Sequence, residues 1–179
     1  IIPKTQDFIR FVGLTNETIW KTLVPEDDQK RKILQEKYSV YCKKHEACFT
    51  KLANHSAPKV FAELKNKKLQ IAVASSSRKR QVLRMIKECK LQGYVDFIIS
   101  GEECKKSKPD PEIYLKAIST LGVLPTEALA VEDSKVGIHS AKLAGLYVGA
   151  LIHNDYYVDQ SEADFRMDDL TGVLSHVII

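Results

Sequence analysis

The sequence predicts an α/β fold, in which a parallel β-sheet carries helices on both faces and a small all-helical segment precedes it. Two patterns carry this prediction. From about residue 56 onward, short apolar runs alternate with segments of helical periodicity, as in the strand–helix–strand units of a parallel sheet. Residues 1–55 have helical periodicity and no convincing strand. We therefore expect a helical region over 1–55 and an α/β core over 56–179.

The helical region is predicted to contain three helices. The first, over 5–12, ends at Gly13, the second is capped by Asn16, and the third follows Pro25. Their apolar faces are small, so we expect a lid over a site more than an independent domain. Periodicity turns five side chains of the third helix inward: Ile33, Leu34, Tyr38, Tyr41 and Cys42.

The α/β core begins near Pro58 with a helix that leads into the first strand. This strand, over 69–74, is almost wholly apolar, as expected of a strand that is covered on both faces. Further strands are expected at 97–100, 128–131 and 147–152, with a last short one at 163–166, and helices at 78–90, 111–121 and 137–144.

The composition is that of a soluble globular protein, with 44% hydrophobic and 28% charged residues. The net charge of +4 is small and the basic residues are spread along the chain, which argues against nucleic-acid binding and suits a small anionic substrate. No apolar run is long enough to predict a membrane span. The four cysteines lack metal-site spacing, so we expect reduced thiols in a cytoplasmic protein, which we take to be a monomer.

Polar side chains follow predicted strands, at the edge of a parallel sheet where ligands bind. The first strand runs into Ser75, Ser76 and Ser77, whose hydroxyl and backbone N–H groups can hold a phosphate oxygen; capping of the next helix is the simpler alternative. Glu132 and Asp133 follow a later strand and offer the hard oxygen ligands that Mg²⁺ prefers. Acids at a helix start can also merely complement its free N–H groups.

A stiffened loop displays a lysine between these two positions in the chain. Pro109 restricts Lys108 to extended backbone, Asp110 suits the cap of the following helix, and Pro111 suits its first position. An ammonium group held in this way can balance the charge of a phosphate or of a nucleophilic carboxylate. A solvated surface lysine is the alternative.

Taken together, the segments KPDPEIY at 108–114 and VEDSKVGI at 131–138 resemble motifs of the haloacid dehalogenase superfamily of phosphotransferases. The resemblance covers the helical region as well, which looks like the cap of the β-phosphoglucomutase and phosphoglycolate phosphatase branch. It implies a Rossmann-like parallel sheet under a helical cap, Mg²⁺ as the cofactor, and a small phosphorylated metabolite as the substrate.

The same resemblance implies a role for each polar strand end. Asp133 and Glu132 are expected to hold the metal, Lys108 and Ser75 to be catalytic, and the phosphate to be bound by Lys108 and by the serines Ser75, Ser76 and Ser77. Both catalytic groups are expected to act by stabilising the charge-dense transition state.

One feature of the superfamily is missing from the 179 residues. The superfamily's nucleophile lies in an Asp-x-Asp motif at the end of a central first strand, and the sequence has neither an Asp-x-Asp nor an apolar strand before the helical region. We therefore expect the core to lack its first strand, the nucleophile to lie upstream of Ile1, and these residues alone to be inactive.

The helical region bears on the type of reaction. β-Phosphoglucomutases look alike in a GVSRxxS stretch of the cap, whose arginine grips the distal phosphate of a bisphosphate. The corresponding stretch here, 13–18, has no arginine, which favours a phosphatase. Arg10 or Lys21 could compensate, so a mutase is the alternative. A non-catalytic binding module is a third hypothesis, which the missing motif would also fit.

Overall fold

The computed structural model describes residues 9–177, and the predicted α/β class is confirmed. Each of the five expected strands is present within three residues of its predicted bounds. The helices are α1 (Asn16–Leu23), α2 (Asp28–Lys44), α3 (Phe49–Leu52), α4 (Ala57–Asn66), α5 (Lys79–Glu88), α6 (Glu112–Leu121) and α7 (Lys135–Leu143). The strands are β1 (Ala72–Ser75), β2 (Phe97–Ser100), β3 (Leu129–Glu132), β4 (Tyr147–Leu151) and β5 (Phe165–Met167).

The strands between residues 9 and 177 form two parallel sheets. β1 pairs with β2, with Ser75 opposite Ser100 at the carboxyl end. β3, β4 and β5 form the second sheet in that order, with Glu132 opposite Ala150 at the end of the β3–β4 ladder. Because β1 and β3 each pair on one side only in this part of the chain, an unpaired edge of each sheet remains.

One hydrophobic core joins the two sheets. Helix α6 contacts β1 and β2, helix α7 contacts β3 and β4, and the two helices contact each other. Their inward side chains form a buried cluster with residues of both sheets: Ile99, Ile113, Ile118, Ala130, Ile138 and Val148. The carboxyl ends of β1 and β3 are therefore held in a fixed relation although no backbone hydrogen bond links the strands.

The helical region is far less buried than the core. Helices α1, α2 and α3 contain no buried residue, and the inward orientation predicted for Ile33, Tyr38 and Tyr41 is wrong, since these side chains are about half exposed. Helix α2 contacts α1, where Trp20 and Tyr38 meet edge to face with ring centroids 5.7 Å apart.

The start of the helical region differs in two details from the prediction. Thr15, not Asn16, caps α1, and its Oγ1 accepts a hydrogen bond from the Thr18 N–H. A short 3-10 helix at Ile9–Phe11 lies within the helix predicted at 5–12, and 5–8 lie outside the described residues. Between residues 9 and 177 no helix is both long and apolar enough to cross a membrane.

Candidate active site

The serines predicted to bind phosphate lie at the carboxyl end of β1, before α5 begins. The Ser75 Oγ accepts a hydrogen bond from the Ser77 N–H at 3.2 Å, and the Ser76 Oγ donates to the Gly13 carbonyl at 3.0 Å. Ser75 and Ser76 are half-buried, and Ser77 is exposed. The cluster is therefore accessible, with hydroxyl groups that have few protein partners.

Lys108 is a buried residue, with 7% of its surface exposed, so the alternative of a solvated surface lysine is wrong. Its Nζ forms an ion pair with the Glu132 carboxylate and donates to the Tyr114 hydroxyl at 3.2 Å. The same Nζ donates to the Ala74 carbonyl of β1 at 3.4 Å. One ammonium group thus links a strand of the first sheet to the end of β3 in the second.

The loop that carries Lys108 is tied to the start of α6. The Glu112 carboxylate accepts the N–H groups of Lys105 and Lys106 at 3.0 and 2.8 Å. A hydrogen bond from Lys116, together with these two N–H groups, lowers the pKa of Glu112 to about 2. The cap of α6 is Pro111, without a side-chain capping hydrogen bond, so the prediction of Asp110 as the cap and Pro111 as the first helical residue is wrong by one position. The Asp110 Oδ1 accepts the Glu112 N–H at 3.0 Å.

The adjacent carboxylates of Glu132 and Asp133 have opposite surroundings. The Glu132 side chain is 9% exposed and accepts hydrogen bonds from Lys108 and from the Tyr114 hydroxyl. The Asp133 side chain is 48% exposed, and its Oδ2 lies 3.1 Å from the His153 Nε2. Burial and the neighbouring Glu132 charge raise the pKa of Tyr114 well above its usual value, so its hydroxyl stays a neutral donor.

Neither Glu132 nor Asp133 is the cap of helix α7, so the alternative that the pair satisfies its free N–H groups as a cap is wrong. The cap is Ser134, which is almost fully buried and whose Oγ accepts the Gly137 N–H at 3.1 Å. A Cβ atom on Gly137 would lie 2.6 Å from the Glu132 Oε1, so only glycine leaves room for this carboxylate. The spacing of the motif therefore has two causes: Ser134 must cap the Gly137 N–H, and Gly137 must leave room for the Glu132 carboxylate.

A sequence profile described as haloacid dehalogenase-like hydrolase matches residues 2–151 of the chain. The chain belongs to the haloacid dehalogenase-like hydrolases. The resemblance inferred from the two motifs is thereby confirmed.

Two curated relatives and one solved structure show the extent of the likeness. A phosphorylated carbohydrates phosphatase from Thermotoga maritima is 34% identical over 112 residues, 55% of this chain and 52% of the relative. A β-phosphoglucomutase from Bacillus subtilis is 33% identical over 121 residues, 66% of this chain and 51% of the relative. A β-phosphoglucomutase structure from Clostridium difficile superposes with a TM-score of 0.80 at 18% identity, covering 98% of this chain and 82% of that one, which supports the fold. The chain spans about half the length of these curated relatives.

The donor atoms of the hydrolase fit an incomplete Mg²⁺ site. Between residues 9 and 177, no three His, Cys, Asp or Glu side chains are grouped closely enough to hold a metal on their own. Mg²⁺ needs only one or two carboxylates, because water and substrate phosphate complete its shell. Asp133 has an accessible carboxylate of this kind, whereas the Glu132 carboxylate is occupied by Lys108 and Tyr114.

Sequence reasoning missed three side chains at this site: Tyr114, His153 and Gln160. Tyr114 could have been found, because it lies inside the KPDPEIY segment and shares the inward face of α6 with Ile113 and Ile118. The two others lie in the segment after β4, and no pattern in the sequence places that segment against Asp133.

Proposed function

We propose that this hydrolase is a Mg²⁺-dependent phosphomonoesterase for a small phosphorylated metabolite, such as a sugar phosphate or phosphoglycolate. The observation that carries the proposal is that Lys108 brings one buried ammonium to both the β1 end, with its serine hydroxyls, and the β3 end, with its accessible carboxylate. The relative named for phosphorylated carbohydrates supports the same substrate class. A cytoplasmic location, a monomeric state and the absence of nucleic-acid and membrane partners stay predictions from the sequence.

The reaction proceeds through an aspartyl-phosphate. A carboxylate that lies upstream of Ile1 attacks the phosphorus, and the leaving alkoxide takes a proton from a second upstream aspartate two residues later. Water then cleaves the acyl phosphate and releases inorganic phosphate. Residues 1–179 lack the nucleophile, so we expect them to be inactive without that segment.

Each site residue has a role that follows from its surroundings. The Ser75 hydroxyl donates to a phosphoryl oxygen, with Ser76 and Ser77 beside it. Its proton is available because the Ser75 Oγ accepts a hydrogen bond from the Ser77 N–H and donates to no other group within residues 9–177. The Lys108 ammonium balances the charge of the transferring group. Asp133, with Glu132 as its neighbour, holds Mg²⁺, which when bound places positive charge on the phosphoryl oxygens.

A phosphosugar mutase is the second candidate, and one observation favours it. The loop after the 3-10 helix at Ile9–Phe11 reaches the site, since the Gly13 carbonyl accepts the Ser76 hydroxyl. Arg10 therefore lies in a segment close to the phosphate-binding serines and is a candidate for gripping a second phosphate. The absence of an arginine from 13–18 makes the phosphatase the better-supported function.

The test uses the full-length protein. Release of inorganic phosphate from a panel of sugar phosphates and phosphoglycolate is measured with and without Mg²⁺, and conversion of β-glucose 1-phosphate to glucose 6-phosphate is measured with a bisphosphate primer. We expect Mg²⁺-dependent phosphate release. Primer-dependent isomerisation without net phosphate release would establish the mutase instead, and no turnover of either kind would favour a binding module.

Two matched substitutions test the site itself. Asp133→Asn removes one accessible carboxylate of the site, and Glu162→Gln removes an exposed carboxylate that pairs with His139 on the surface. We expect Asp133→Asn to lower turnover by at least about 10- to 100-fold and Glu162→Gln to leave it unchanged. Equal activity in the two variants would contradict the assignment of Asp133 to the metal.

A further inference from the structure

The backbone ladder between β3 and β4 ends one residue short of Asp133. Glu132 and Ala150 are the last pair in register, so the next pair in sequence is Asp133 and Leu151. Their carbonyl groups lie beyond the last pair of the ladder. A carbonyl at such a position needs a donor from elsewhere, because leaving it buried without one costs free energy.

Gln160 supplies that donor. Its Nε2 donates to the Asp133 carbonyl at 3.2 Å and to the Leu151 carbonyl at 2.8 Å. The residue is 6% exposed although it lies in the irregular segment between β4 and β5. The Gln160 side-chain amide therefore takes the place of a backbone hydrogen bond between β3 and β4 at Asp133, the residue with the accessible carboxylate.

Gln160 is itself held on both sides. Its neighbour Asp159 forms an ion pair with Lys135 at 2.7 Å, and Lys135 is the first residue of α7, two positions after Asp133. The Gln160 carbonyl accepts the Ala163 N–H at 3.2 Å. The backbone around Gln160 thus contacts the start of α7, while the amide itself is bound to the ends of β3 and β4 through its Nε2.

We propose that Gln160 is a positioning residue that fixes the Asp133 carboxylate for metal binding. The inference rests on the proposed function, because it takes Asp133 as a metal ligand. By holding the Asp133 carbonyl against that of Leu151, the amide sets the backbone from which the Asp133 side chain projects. The buried cap at Ser134 fixes the other side of the same residue.

The test measures binding of Mn²⁺, a divalent ion with a similar preference for oxygen ligands, to the full-length protein. Loss of the free-ion signal in electron paramagnetic resonance gives the Kd without any need for turnover. Gln160→Met removes the amide at nearly constant size, and we expect it to raise the Kd about tenfold, as for other groups that orient a metal ligand. Glu162→Gln, in the same segment, should bind Mn²⁺ as the unaltered protein does.

A second readout separates positioning from general destabilisation. If Gln160 orients the ligand, a higher Mg²⁺ concentration restores kcat in Gln160→Met while the substrate KM at saturating Mg²⁺ is unchanged. If its role is only structural, the melting temperature falls and the Kd measured on the folded protein stays the same. That second result would overturn the inference.

The two hypotheses can fail separately. Weak Mn²⁺ binding by Asp133→Asn together with unaltered binding by Gln160→Met would remove the inference and leave the proposed function standing. Unaltered binding by Asp133→Asn would remove Asp133 as a ligand and the inference with it. Should Gln160→Met fail to fold, Gln160→Asn keeps a buried amide that is one methylene too short to reach both carbonyls, and weaker Mn²⁺ binding is again expected.

Discussion

The two strand ends that form the site differ in how firmly the protein holds them. At the end of β1, the hydroxyl of the half-buried Ser75 has one hydrogen bond within residues 9–177, which it accepts from the Ser77 N–H. At the end of β3, Glu132 accepts from Lys108 and Tyr114, and the next residue is held by Gln160. The difference follows from charge. A hydroxyl can rely on water for its partners, whereas a buried carboxylate is stable only when it is paired and hydrogen-bonded.

Besides the hydrophobic core, Lys108 and Gly13 connect these strand ends in the described part of the chain. Lys108 is a polar link, since its Nζ reaches the Ala74 carbonyl on one side and the Glu132 carboxylate on the other. Gly13 links the ends in a second way. Its carbonyl accepts a hydrogen bond from Ser76 at the β1 end, and its Cα packs closely against Ser134 at the β3 end. Substituting Lys108 and Gly13 in turn, and measuring the unfolding free energy, shows how much each contact between the β1 and β3 ends contributes to stability.

The largest effect is expected from Lys108→Met. With the lysine 6% and the glutamate 9% exposed, this substitution leaves the Glu132 carboxylate buried without its counter-ion, which costs about 3–5 kcal/mol of unfolding free energy. Urea unfolding measures the loss. In the control Lys135→Met, which breaks the exposed pair with Asp159, the cost should be about 0–1 kcal/mol.

A double variant decides whether the missing counter-ion is the cause. Adding Glu132→Gln to Lys108→Met removes the uncompensated charge, so we expect it to recover a large part of the lost stability. If Lys108→Met costs no more than Lys135→Met, or if the double variant recovers nothing, the buried ion pair does not hold the two sheets together.

The next largest effect is expected from Gly13→Ala. Gly13 has a φ of +82°, and an added Cβ would lie 2.7 Å from the Ser134 Cβ and 2.6 Å from the Val136 Cγ2. The left-handed backbone costs about 1–2 kcal/mol, and the overpacking adds about 1–3 kcal/mol. Gly122→Ala is the matched control, because Gly122 has a φ of +70° with no heavy atom within 4 Å of the added Cβ.

The difference between these two alanine variants, measured as unfolding free energy, isolates the steric contact between the helical region and the β3 end. Equal losses would mean that the loop around Gly13 moves away without cost and does not link the two ends. A larger loss at Gly13 would show that the packing around Ser134 has no room to relax.

Strands β1 to β4 could be predicted from the sequence because each is a short apolar run that is followed by polar residues. The prediction erred at the start of β1 because the Ile71 N–H is bound by the Asp96 side chain at 2.7 Å, and the ladder begins only at Ala72. The predicted inward face of α2 failed for a different reason. Periodicity shows that a helix has an apolar stripe and cannot show whether a neighbour covers it.

Some residues of the candidate site could be predicted from the sequence and others could not. Lys108 and the carboxylates could be found because the residues around them have local roles, such as the cap at Ser134 and the clearance at Gly137. Gln160 could not be found, because its contacts depend on the path of the chain between β4 and β5. A single polar residue in an irregular segment belongs to no periodic pattern or motif from which its contacts could be predicted.

A smaller effect is expected from Tyr114→Phe, which removes a donor to Glu132 and an acceptor for Lys108. Glu132 loses the donated hydroxyl while its ion pair with Lys108 remains, so we expect a loss of about 1–2 kcal/mol in unfolding free energy. Tyr157→Phe, at a residue that is 80% exposed, should have no measurable effect. A loss as large as that of Lys108→Met would mean that the hydroxyl, and not the ammonium, is the main partner of Glu132.

The smallest effect is expected from Glu112→Gln, and it should depend on pH. The pKa of Glu112 is lowered from 4.5 to about 2, so its ionised form favours the folded state. That contribution is complete above pH 4.5 and disappears as the pH falls through about 2. The unfolding free energies of Glu112→Gln and the unaltered protein should therefore differ at pH 6 and converge as the pH falls through this window.

The control for this substitution is Glu36→Gln, at an exposed residue on α2. Urea midpoints measured between pH 6 and pH 2.5 should separate Glu112→Gln from the unaltered protein at the upper end, while Glu36→Gln follows the unaltered protein throughout. The physical reason is that the ionised Glu112 pairs with Lys116 and accepts the N–H groups of Lys105 and Lys106, which ties the loop before Lys108 to α6. A difference that is constant with pH would show that the side chain acts through neutral hydrogen bonds alone.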